Sequence, residues 1–480
     1  MKKQYKILLT LVVAVLCGAS VFGMCWGYFS TGSDDSQLSN SNNKTAAPVK
    51  PTATVKPTVQ PTAKPTSQPT AQPTATPEVT EDRTTIPGEV VVFAGDGCYT
   101  WWTNALAFRY KGQKNQTYLS YVNEEGQMSL ASFDHDKAEF NYSNLADFEK
   151  DDHNSAALTI LPNGKILAVY ARHSADKFIR WRISNEPEDI TSFGEEQRIT
   201  SGGTVTYIQL HKISDSEYRI FYRYSMSHWS TRIYNWVEDT WTDEIVWLTE
   251  PLGKQFYLWT QEDKQEGKIN VFMTAHPVNG PDQNIRYGYF DEDGKIYTTG
   301  DKLLGDLNVA ATNVLSPRDF DVVYEAKEGE HTRLYDVSYM GDRVGVLYGV
   351  GNDGYNSKYY YAYYDNAKGQ WVNNYICDSG KAAVVGNMYF GGLSFDKKDM
   401  QTLYVARREG DLYRMEKWTT TDYGATWSAP VVIDESTSAT KIIMRPIIPY
   451  NASEDIDVIY IKGRYPTYLT YDTDIVFYAD

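Results

Sequence analysis

The sequence has few cysteines, and their positions exclude a disulfide-rich or zinc-knuckle protein. Only four occur in 480 residues, and two of these, Cys17 and Cys25, lie in an apolar stretch near the amino terminus. The remaining pair, Cys98 and Cys377, is too small for a disulfide framework and too widely spaced for a zinc knuckle. Two interpretations stay open for this pair: two unpaired buried thiols, or one long-range disulfide.

The chain also lacks an excess of positive charge. It has 46 Lys and Arg against 62 Asp and Glu, a formal net charge of −16 at pH 7. This balance argues against broad binding of nucleic acid or of an anionic membrane surface by the folded part. If the ligand is a polyanion, a local cationic pocket must bind it. We expect a monomer with no nucleic-acid partner.

A single long apolar run is present, at residues 7–29, after Lys2, Lys3 and Lys6. Its length suffices to span a bilayer as a helix, so residues 1–33 are predicted to be a signal peptide or an uncleaved membrane anchor. The protein is therefore expected to be exported, either extracellular or attached to the cell surface through the membrane or the cell wall. Residues 34–87 are predicted to be a disordered spacer, because prolines recur every fourth residue from Pro57 to Pro77.

From residue 88 onward the sequence lacks helical periodicity and consists of short aromatic-rich segments separated by turns. Clear hairpins join residues 118–122 to 127–133, 286–290 to 295–298, and 359–364 to 370–372. Hairpins that recur over almost 400 residues indicate radial repetition, because a single sandwich or barrel of that length would be unusually large. We predict an all-β fold in which residues 88–480 form a β-propeller catalytic domain of seven four-stranded antiparallel blades.

Residues 420–427, TTDYGATW, fit the pattern S/T-x-D-x-G-x-T-W, the Asp-box of sialidase-like propellers. In this motif Asp422 and Gly424 shape a hairpin turn and Trp427 packs between strands. We therefore interpret the motif as structural.

Candidate chemistry comes from side chains at predicted strand ends. His153 and His173 flank one hairpin-like unit, while Tyr207 and Arg223 lie in the next two predicted strands. His276 precedes a proline and is compatible with a structural turn, a metal ligand or a substrate contact. Arg180 and Arg232 are predicted to bind substrate along the groove, although solvent-exposed arginines would look the same.

Together these segments resemble the BNR-type propellers that include the ulvan lyases. The matching segments cover almost all of residues 95–475 and are 151–158, 161–167, 170–173, 206–207, 221–223, 275–277, 285–287, 389–392 and 463–468. The resemblance implies a central site with two histidines, a tyrosine and an arginine, at His153, His173, Tyr207 and Arg223. It also implies cleavage of an acidic polysaccharide that contains rhamnose linked to glucuronate or iduronate. A zinc cluster like that of some members is not recognisable in this sequence.

The residue types fit β-elimination. That reaction needs a cation to neutralise the uronate carboxylate, a base for the C5 proton and an acid for the departing O4 oxygen. We expect Tyr207 and His153 to share proton transfer and Arg223 with His173 to hold the carboxylate, although the two histidines could exchange roles. No cofactor is required for this chemistry, and a structural metal ion remains compatible with it. Two alternatives are a propeller hydrolase that releases rhamnose from glucuronate and a non-catalytic carbohydrate-binding propeller.

Overall fold

The computed structural model describes residues 84–85 and 88–479, apart from 264–265, 279, 310–313, 341–342, 353–354, 385–387 and 453–455. The predicted signal or anchor, and all of the predicted spacer except residues 84–85, lie outside the described residues. Within the described part, the regular structure consists of β-strands and one short 3-10 helix, Pro317–Asp319. No helix in this part has both the length and the apolar character needed to cross a membrane.

The strands form seven sheets arranged as the blades of a propeller, which confirms the predicted fold. Two strands precede the first blade: β1 (Thr84–Thr85) and β2 (Glu89–Ala94). Blade 1 contains β3 (Ala107–Lys111), β4 (Asn115–Val122), β5 (Gln127–Asp134) and β6 (Glu139–Asp147). Blade 2 contains β7 (Ala157–Ile160), β8 (Ile166–Tyr170), β9 (Phe178–Ile183) and β10 (Gln197–Thr200). Blade 3 contains β11 (Val205–Lys212), β12 (Glu217–Tyr224), β13 (His228–Asn235), β14 (Thr240–Trp241) and β15 (Ile245–Thr249).

The remaining four blades continue in chain order. Blade 4 contains β16 (Phe256–Asp263), β17 (Lys268–Ala275), β18 (Ile285–Phe290), β19 (Lys295–Tyr297), β20 (Leu303–Asp306) and β21 (Asp321–Tyr324). Blade 5 contains β22 (His331–Met340), β23 (Arg343–Gly351), β24 (Ser357–Asp365) and β25 (Gln370–Asp378). Blade 6 contains β26 (Gly392–Phe395), β27 (Thr402–Glu409), β28 (Leu412–Thr419) and β29 (Val431–Glu435). Blade 7 contains β30 (Ile442–Ile447), β31 (Val458–Thr467) and β32 (Thr470–Ala479).

Blades 3 and 4 depart from the simple four-stranded plan. In blade 3 the outer position is shared by β14 and β15, which both pair with β13. In blade 4 the strands β19 and β20 form an additional hairpin, so β18 pairs with both β19 and β21. The core of each blade remains antiparallel.

The ring closes through pairing between distant parts of the chain. Strand β2 pairs antiparallel with β32 and completes blade 7 as its outermost strand. Strand β1 adds in parallel to β29 at the outer edge of blade 6. Closure of this kind removes exposed inner edges and fixes the seven blades around one axis.

The first strand of each blade lies next to the central axis, where neighbouring first strands contact each other. All of these strands begin at the same end of the channel, and we call this end the cavity face. The channel is filled by the segment that leads into β3. There the Asn104 backbone N–H donates to the Ile208 carbonyl at 3.1 Å and its side-chain amide donates to the Thr260 carbonyl at 3.0 Å. Beside it, the Trp102 ring stacks on Tyr257 with centroids 4.4 Å apart.

The Asp-box forms the turn between β28 and β29, as predicted. Asp422 accepts hydrogen bonds from the Thr426 backbone N–H at 2.8 Å and the Thr426 hydroxyl at 2.7 Å. Gly424 adopts a left-handed φ of 83°, which disfavours any larger residue at this turn. Trp427 packs edge-on against Trp418, with centroids 6.3 Å apart. The motif therefore stabilises the blade and lies outside the cavity described below.

Cys98 and Cys377 are both buried and both free. The long-range disulfide considered from the sequence is therefore wrong. Each thiol lies in a different part of the propeller core.

Candidate functional site

A cavity of about 540 Å³ opens at the cavity face of the propeller. Its walls come from residues at the beginnings of first strands and at the ends of second strands, so every blade that contributes does so through a strand end. The lining residues are Asp151, His153, His173, Ser174, Tyr207, Arg223, Met226, Gln255, Tyr257, His276, Arg333, Tyr389, Tyr468 and Leu469.

The four residues predicted to form the site lie together in this cavity. The His153 and His173 rings stack with centroids 4.1 Å apart and planes within 9° of each other. The Tyr207 ring lies 5.7 Å from His153 and 5.8 Å from His173. The Arg223 guanidinium carbon lies 4.6 Å from the centroid of the Tyr207 ring. The structure thus brings these four side chains together, while their chemical roles stay predictions.

Asp151 orients both histidines. Its Oδ1 accepts a hydrogen bond from His153 Nδ1 at 2.7 Å, and its Oδ2 accepts one from His173 Nδ1 at 2.8 Å. Because Nδ1 of each ring faces this carboxylate, Nε2 of each ring points away from it. A carboxylate in this position selects the tautomer of a histidine as well as its orientation.

The two histidines differ in charge. Burial opposes the charged form of His153, but the carboxylates of Asp152 and Asp151 outweigh it and raise its pKa to about 9. Burial and the charge of His153 lower the pKa of His173 to about 4. At neutral pH the cavity therefore holds an imidazolium at His153 and a neutral imidazole with a free Nε2 lone pair at His173.

A second buried layer supports the loop that carries His153. Asp152 is fully buried, and its Oδ2 lies 2.5 Å from Arg445 Nη1 and accepts a hydrogen bond from the Tyr465 hydroxyl at 2.5 Å. The other carboxylate oxygen of Asp152 lies 2.8 Å from His153 Nδ1, so this layer also stabilises the charged form of His153. Buried ion pairs of this geometry are costly to break, because removing one partner leaves the other charge unpaired.

Tyr207 lies on a distorted part of β11. The register between β11 and β12 shifts between Thr206 and Gln209, and Tyr207 has a left-handed φ of 59°. Side chains along a strand normally alternate between the two faces of the sheet. A bulge changes this pattern, and here it places the Tyr207 ring in the cavity. Burial, and to a smaller degree Tyr257, raise the pKa of Tyr207 well above its ordinary value, although Arg223 acts in the opposite direction. The phenol is therefore protonated at neutral pH.

Arg223 is a buried cation with unused donors. Only 1% of it is exposed, and its Nη2 donates to the Ser174 hydroxyl at 3.1 Å. Nε and Nη1 have no hydrogen-bond partner among the described residues. A buried guanidinium with free donors is suited to bind a carboxylate through two parallel hydrogen bonds.

His276 also lines the cavity, and it shapes a turn at the same time. Its Nδ1 accepts the backbone N–H of Val278 at 3.1 Å, and its carbonyl accepts the backbone N–H of Gly280 at 2.8 Å. Burial, followed by Arg333 and Arg223, lowers its pKa to about 4. The ring is therefore neutral with its proton on Nε2, which can donate to a ligand oxygen.

Arg180 and Arg232 do not line this cavity. Arg180 Nη2 lies 2.6 Å from an Asp176 carboxylate oxygen in an ion pair. Arg232 donates to the Thr242 carbonyl at 2.7 Å. Both guanidinium groups bond within blades 2 and 3, and the predicted substrate contacts of these two residues stay predictions.

Among the described residues, Asp151, His153 and His173 form a group whose ligand atoms all lie within 4.8 Å of one another. Two imidazoles and one carboxylate are a suitable donor set for a divalent transition metal. However, Nδ1 of both rings already bonds to this carboxylate, so a metal bound there would replace both hydrogen bonds.

Sequence reasoning missed several residues of the cavity. Asp151, Tyr389 and Tyr468 lie inside segments that carried the family resemblance, so a signal for them existed. By contrast, Tyr257 and Arg333 lie at the beginnings of ordinary aromatic-rich strands, where no local motif distinguishes them.

Comparison with known proteins agrees with the propeller fold. The sequence profile described as a BNR repeat-containing family member matches residues 116–372. No curated protein matches the sequence.

Two solved structures similar to this chain are described as a PL25 ulvan lyase. One, bound to -[GlcA(1-4)Rha3S]-, has a TM-score of 0.61 and 14% identity over 80% of this chain and 94% of that chain. The other, described without a bound ligand, has a TM-score of 0.62 and 13% identity over 81% and 95% of the two chains. At this identity the similarity establishes the fold.

Proposed function

This chain belongs to the BNR repeat-containing family, and we propose that it is a polysaccharide lyase that cleaves uronate-containing glycans by β-elimination. The observation that carries the proposal is the convergence, in one cavity, of an unpaired guanidinium, a neutral imidazole and a protonated phenol. The substrate class, a polymer of glucuronate or iduronate linked to rhamnose, is proposed from the similar lyase that is described with bound -[GlcA(1-4)Rha3S]-.

In the proposed reaction Arg223 and the His153 imidazolium neutralise the uronate carboxylate. This withdraws electron density and acidifies the proton at C5. His173 Nε2 takes that proton, the electron pair of the C5–H bond forms the C4=C5 double bond, and the C4–O4 bond breaks. Tyr207 donates its phenolic proton to the departing O4 oxygen.

This assignment exchanges the two histidines relative to the roles first expected from the sequence. The reason is their charge: a histidine with a pKa of about 9 is protonated at neutral pH and cannot accept a proton. A histidine with a pKa of about 4 keeps its lone pair at neutral pH. Asp151 supports both states because it accepts the Nδ1 hydrogen bond of each ring.

Hydrolysis by a carboxylate pair is less compatible with the cavity. Among its described lining residues the one carboxylate is Asp151, and both of its oxygens bond to histidines. Glycosidases of the usual kind need two carboxyl groups on opposite sides of the scissile bond. The cavity therefore favours elimination over hydrolysis.

Export is proposed on separate grounds. Polymers of this kind are too large to enter a cell intact, and the amino-terminal lysines followed by an apolar run are typical of an export signal or anchor. We propose an extracellular or surface-attached monomer.

The test is to incubate the folded domain with uronate–rhamnose polysaccharide and to follow ultraviolet absorbance. Elimination creates a conjugated, absorbing unsaturated uronate, whereas hydrolysis releases reducing ends without this absorbance. New reducing ends without absorbance would support the hydrolase, and binding without any product would support a carbohydrate-binding propeller. Either result would refute the lyase.

A further inference from the structure

Arg333 is a second buried guanidinium in the cavity, and the proposed reaction does not use it. It lies near the start of β22, with 6% of its surface exposed, and it lines the same cavity as Arg223. Its Nε has no hydrogen-bond partner among the described residues, and no ion pair joins it to a described carboxylate. Burying a cation without a counter-charge destabilises a protein, so an anionic ligand that contacts Arg333 would offset this cost.

Aromatic rings surround Arg333 without neutralising it. The guanidinium carbon lies 4.7 Å from the centroids of both Trp101 and Tyr389, and 5.9 Å from Trp102. Cation–π contacts attract the guanidinium and fix the orientation of its plane, but a ring face accepts no strong hydrogen bond from the N–H groups. The N–H groups of Arg333 thus remain available for a ligand.

The neighbouring Arg445 provides an internal comparison. Its guanidinium also lies over Trp101, at 4.4 Å, yet it pairs with the buried carboxylate of Asp152. The protein therefore supplies a carboxylate to one buried arginine against Trp101 and not to the other. The arginine without a carboxylate is the one that lines the cavity.

The two arginines without a carboxylate partner contact different members of one group of aromatic rings. Arg223 contacts Tyr207, whose ring lies 5.9 Å from Tyr257. Tyr257 stacks on Trp102, which in turn lies next to Arg333. Both cations act on His276, which they keep neutral together with burial. Since each guanidinium keeps unused N–H donors, each can bind an anionic group of one ligand.

We infer that Arg333 binds a second anionic group of the substrate, on a sugar next to the uronate held by Arg223. This inference rests on the proposed function and defines the substrate class as a glycan with two anionic groups close together along the chain. A sulfate ester on the adjacent sugar and the carboxylate of the next uronate share the required chemistry, because a guanidinium binds either through paired N–H donors.

The experiment measures binding and turnover of three oligosaccharides of uronate and rhamnose. The first is short and carries one uronate, the second adds a sulfate ester to the neighbouring sugar, and the third is unsulfated but extended by a second uronate. Wild type is compared with Arg333→Met, which keeps a long apolar side chain between the rings, and with Arg333→Lys, which keeps the charge. Since Arg333 has no carboxylate partner, neither change leaves an unpaired acid behind.

Arg343→Met is the matched control. Arg343 also stacks on aromatic rings, 3.8 Å from Tyr423 and 5.1 Å from Tyr363, but it lies outside the cavity. This variant loses the same kind of contact without changing the charge of the site.

We expect wild type to bind at least one of the doubly anionic oligosaccharides roughly 10-fold or more tightly than the singly anionic one. Arg333→Met should abolish this preference, whereas Arg343→Met should retain it together with wild-type binding of the singly anionic oligosaccharide. Tighter binding of the sulfated oligosaccharide would identify the second anionic group as a sulfate ester. Tighter binding of the extended oligosaccharide would identify it as the carboxylate of the second uronate.

An equal loss for all three oligosaccharides in Arg333→Met, or no preference in wild type, would overturn the inference and leave the lyase intact. Preferential binding that Arg333→Met abolishes, in a protein that forms no unsaturated uronate, would support the inference and refute the lyase. Absence of binding to all three would refute both.

Discussion

The rings of His153 and His173 stack in parallel, 4.1 Å apart, and bond through Nδ1 to opposite oxygens of one carboxylate. Two imidazolium charges at this separation would repel each other strongly, so only one of the two rings is protonated over a wide pH range. One histidine of the pair, His173, can therefore accept a proton, while the other, His153, carries a positive charge.

This pairing predicts the pH dependence of the reaction. The rate constant kcat/KM should stay nearly constant between about pH 4, where His173 becomes protonated, and about pH 9, where His153 loses its charge. At pH values below the lower limit, activity should fall because His173 is protonated and cannot act as a base. At pH values above the upper limit, it should fall because the uronate carboxylate is less well neutralised. In Asp151→Asn the loss of the carboxylate should lower the upper limit. An upper limit unchanged by Asp151→Asn would contradict the assignment of His153.

Replacing Tyr207 by Phe should lower kcat about 100-fold or more, because the ring stays in place while the proton donor is lost. The matched control is Tyr218→Phe on the adjacent strand β12, whose hydroxyl bonds to the Ile160 carbonyl outside the cavity. That variant should keep wild-type kcat. Steady-state rates of absorbance increase measure both, and full turnover by Tyr207→Phe would exclude Tyr207 as the acid.

Arg223→Lys retains the charge but loses the planar pair of donors, so both substrate binding and acidification of the C5 proton should weaken. We expect kcat/KM to fall about 10- to 100-fold, with changes in both kcat and KM. Arg232→Lys is a useful comparison, because the sequence predicted a substrate contact there whereas the structure bonds Arg232 to a backbone carbonyl. Unaltered kinetics in Arg232→Lys would agree with the internal hydrogen bond, and a raised KM would support the predicted substrate contact.

Chelation should leave the chemical step intact, because side chains supply the base, the acid and the neutralising charge. The measurement is kcat with and without a strong chelator, at a temperature where circular dichroism shows that the fold persists. Complete loss of activity under those conditions, restored by a divalent metal, would show that Asp151, His153 and His173 act as metal ligands instead.

The Asp-box should affect stability and not turnover. Asp422→Ala removes acceptors for the Thr426 backbone N–H and hydroxyl, which should lower the free energy of unfolding by about 1–2 kcal/mol. Denaturant titration measures this change, and kcat should equal that of wild type. A large loss of kcat in a variant of normal stability would be inconsistent with a purely structural turn.

The propeller could be predicted because its strand signals are local. Turns such as residues 123–126 end in a glycine with a φ of 88° and separate alternating aromatic strands, which is a short-range pattern. The pairing of β2 with β32 has no such signal, since it joins residues almost 400 positions apart. The divided outer strands of blades 3 and 4 were missed because short extra strands resemble loops.

The candidate site was predicted only where a motif carried it. His153, His173, Tyr207 and Arg223 lie in recognisable segments. Arg333 lines the same cavity but lies in the strand His331–Met340, which carries no local motif. Conversely, an arginine on a strand looks the same in sequence whether it binds a ligand or pairs internally. Arg180, for example, was predicted to bind substrate, and in the structure it pairs with Asp176, four residues earlier.

The pairing that closes the ring also joins the two ends of the folded part. Strand β2 runs antiparallel to β32, and Glu89 lies opposite Ala479 in the register. Loss of either strand would leave the other with an unpaired edge and open the ring between its first and last blades. The propeller should therefore lose its fold as one cooperative unit and not blade by blade.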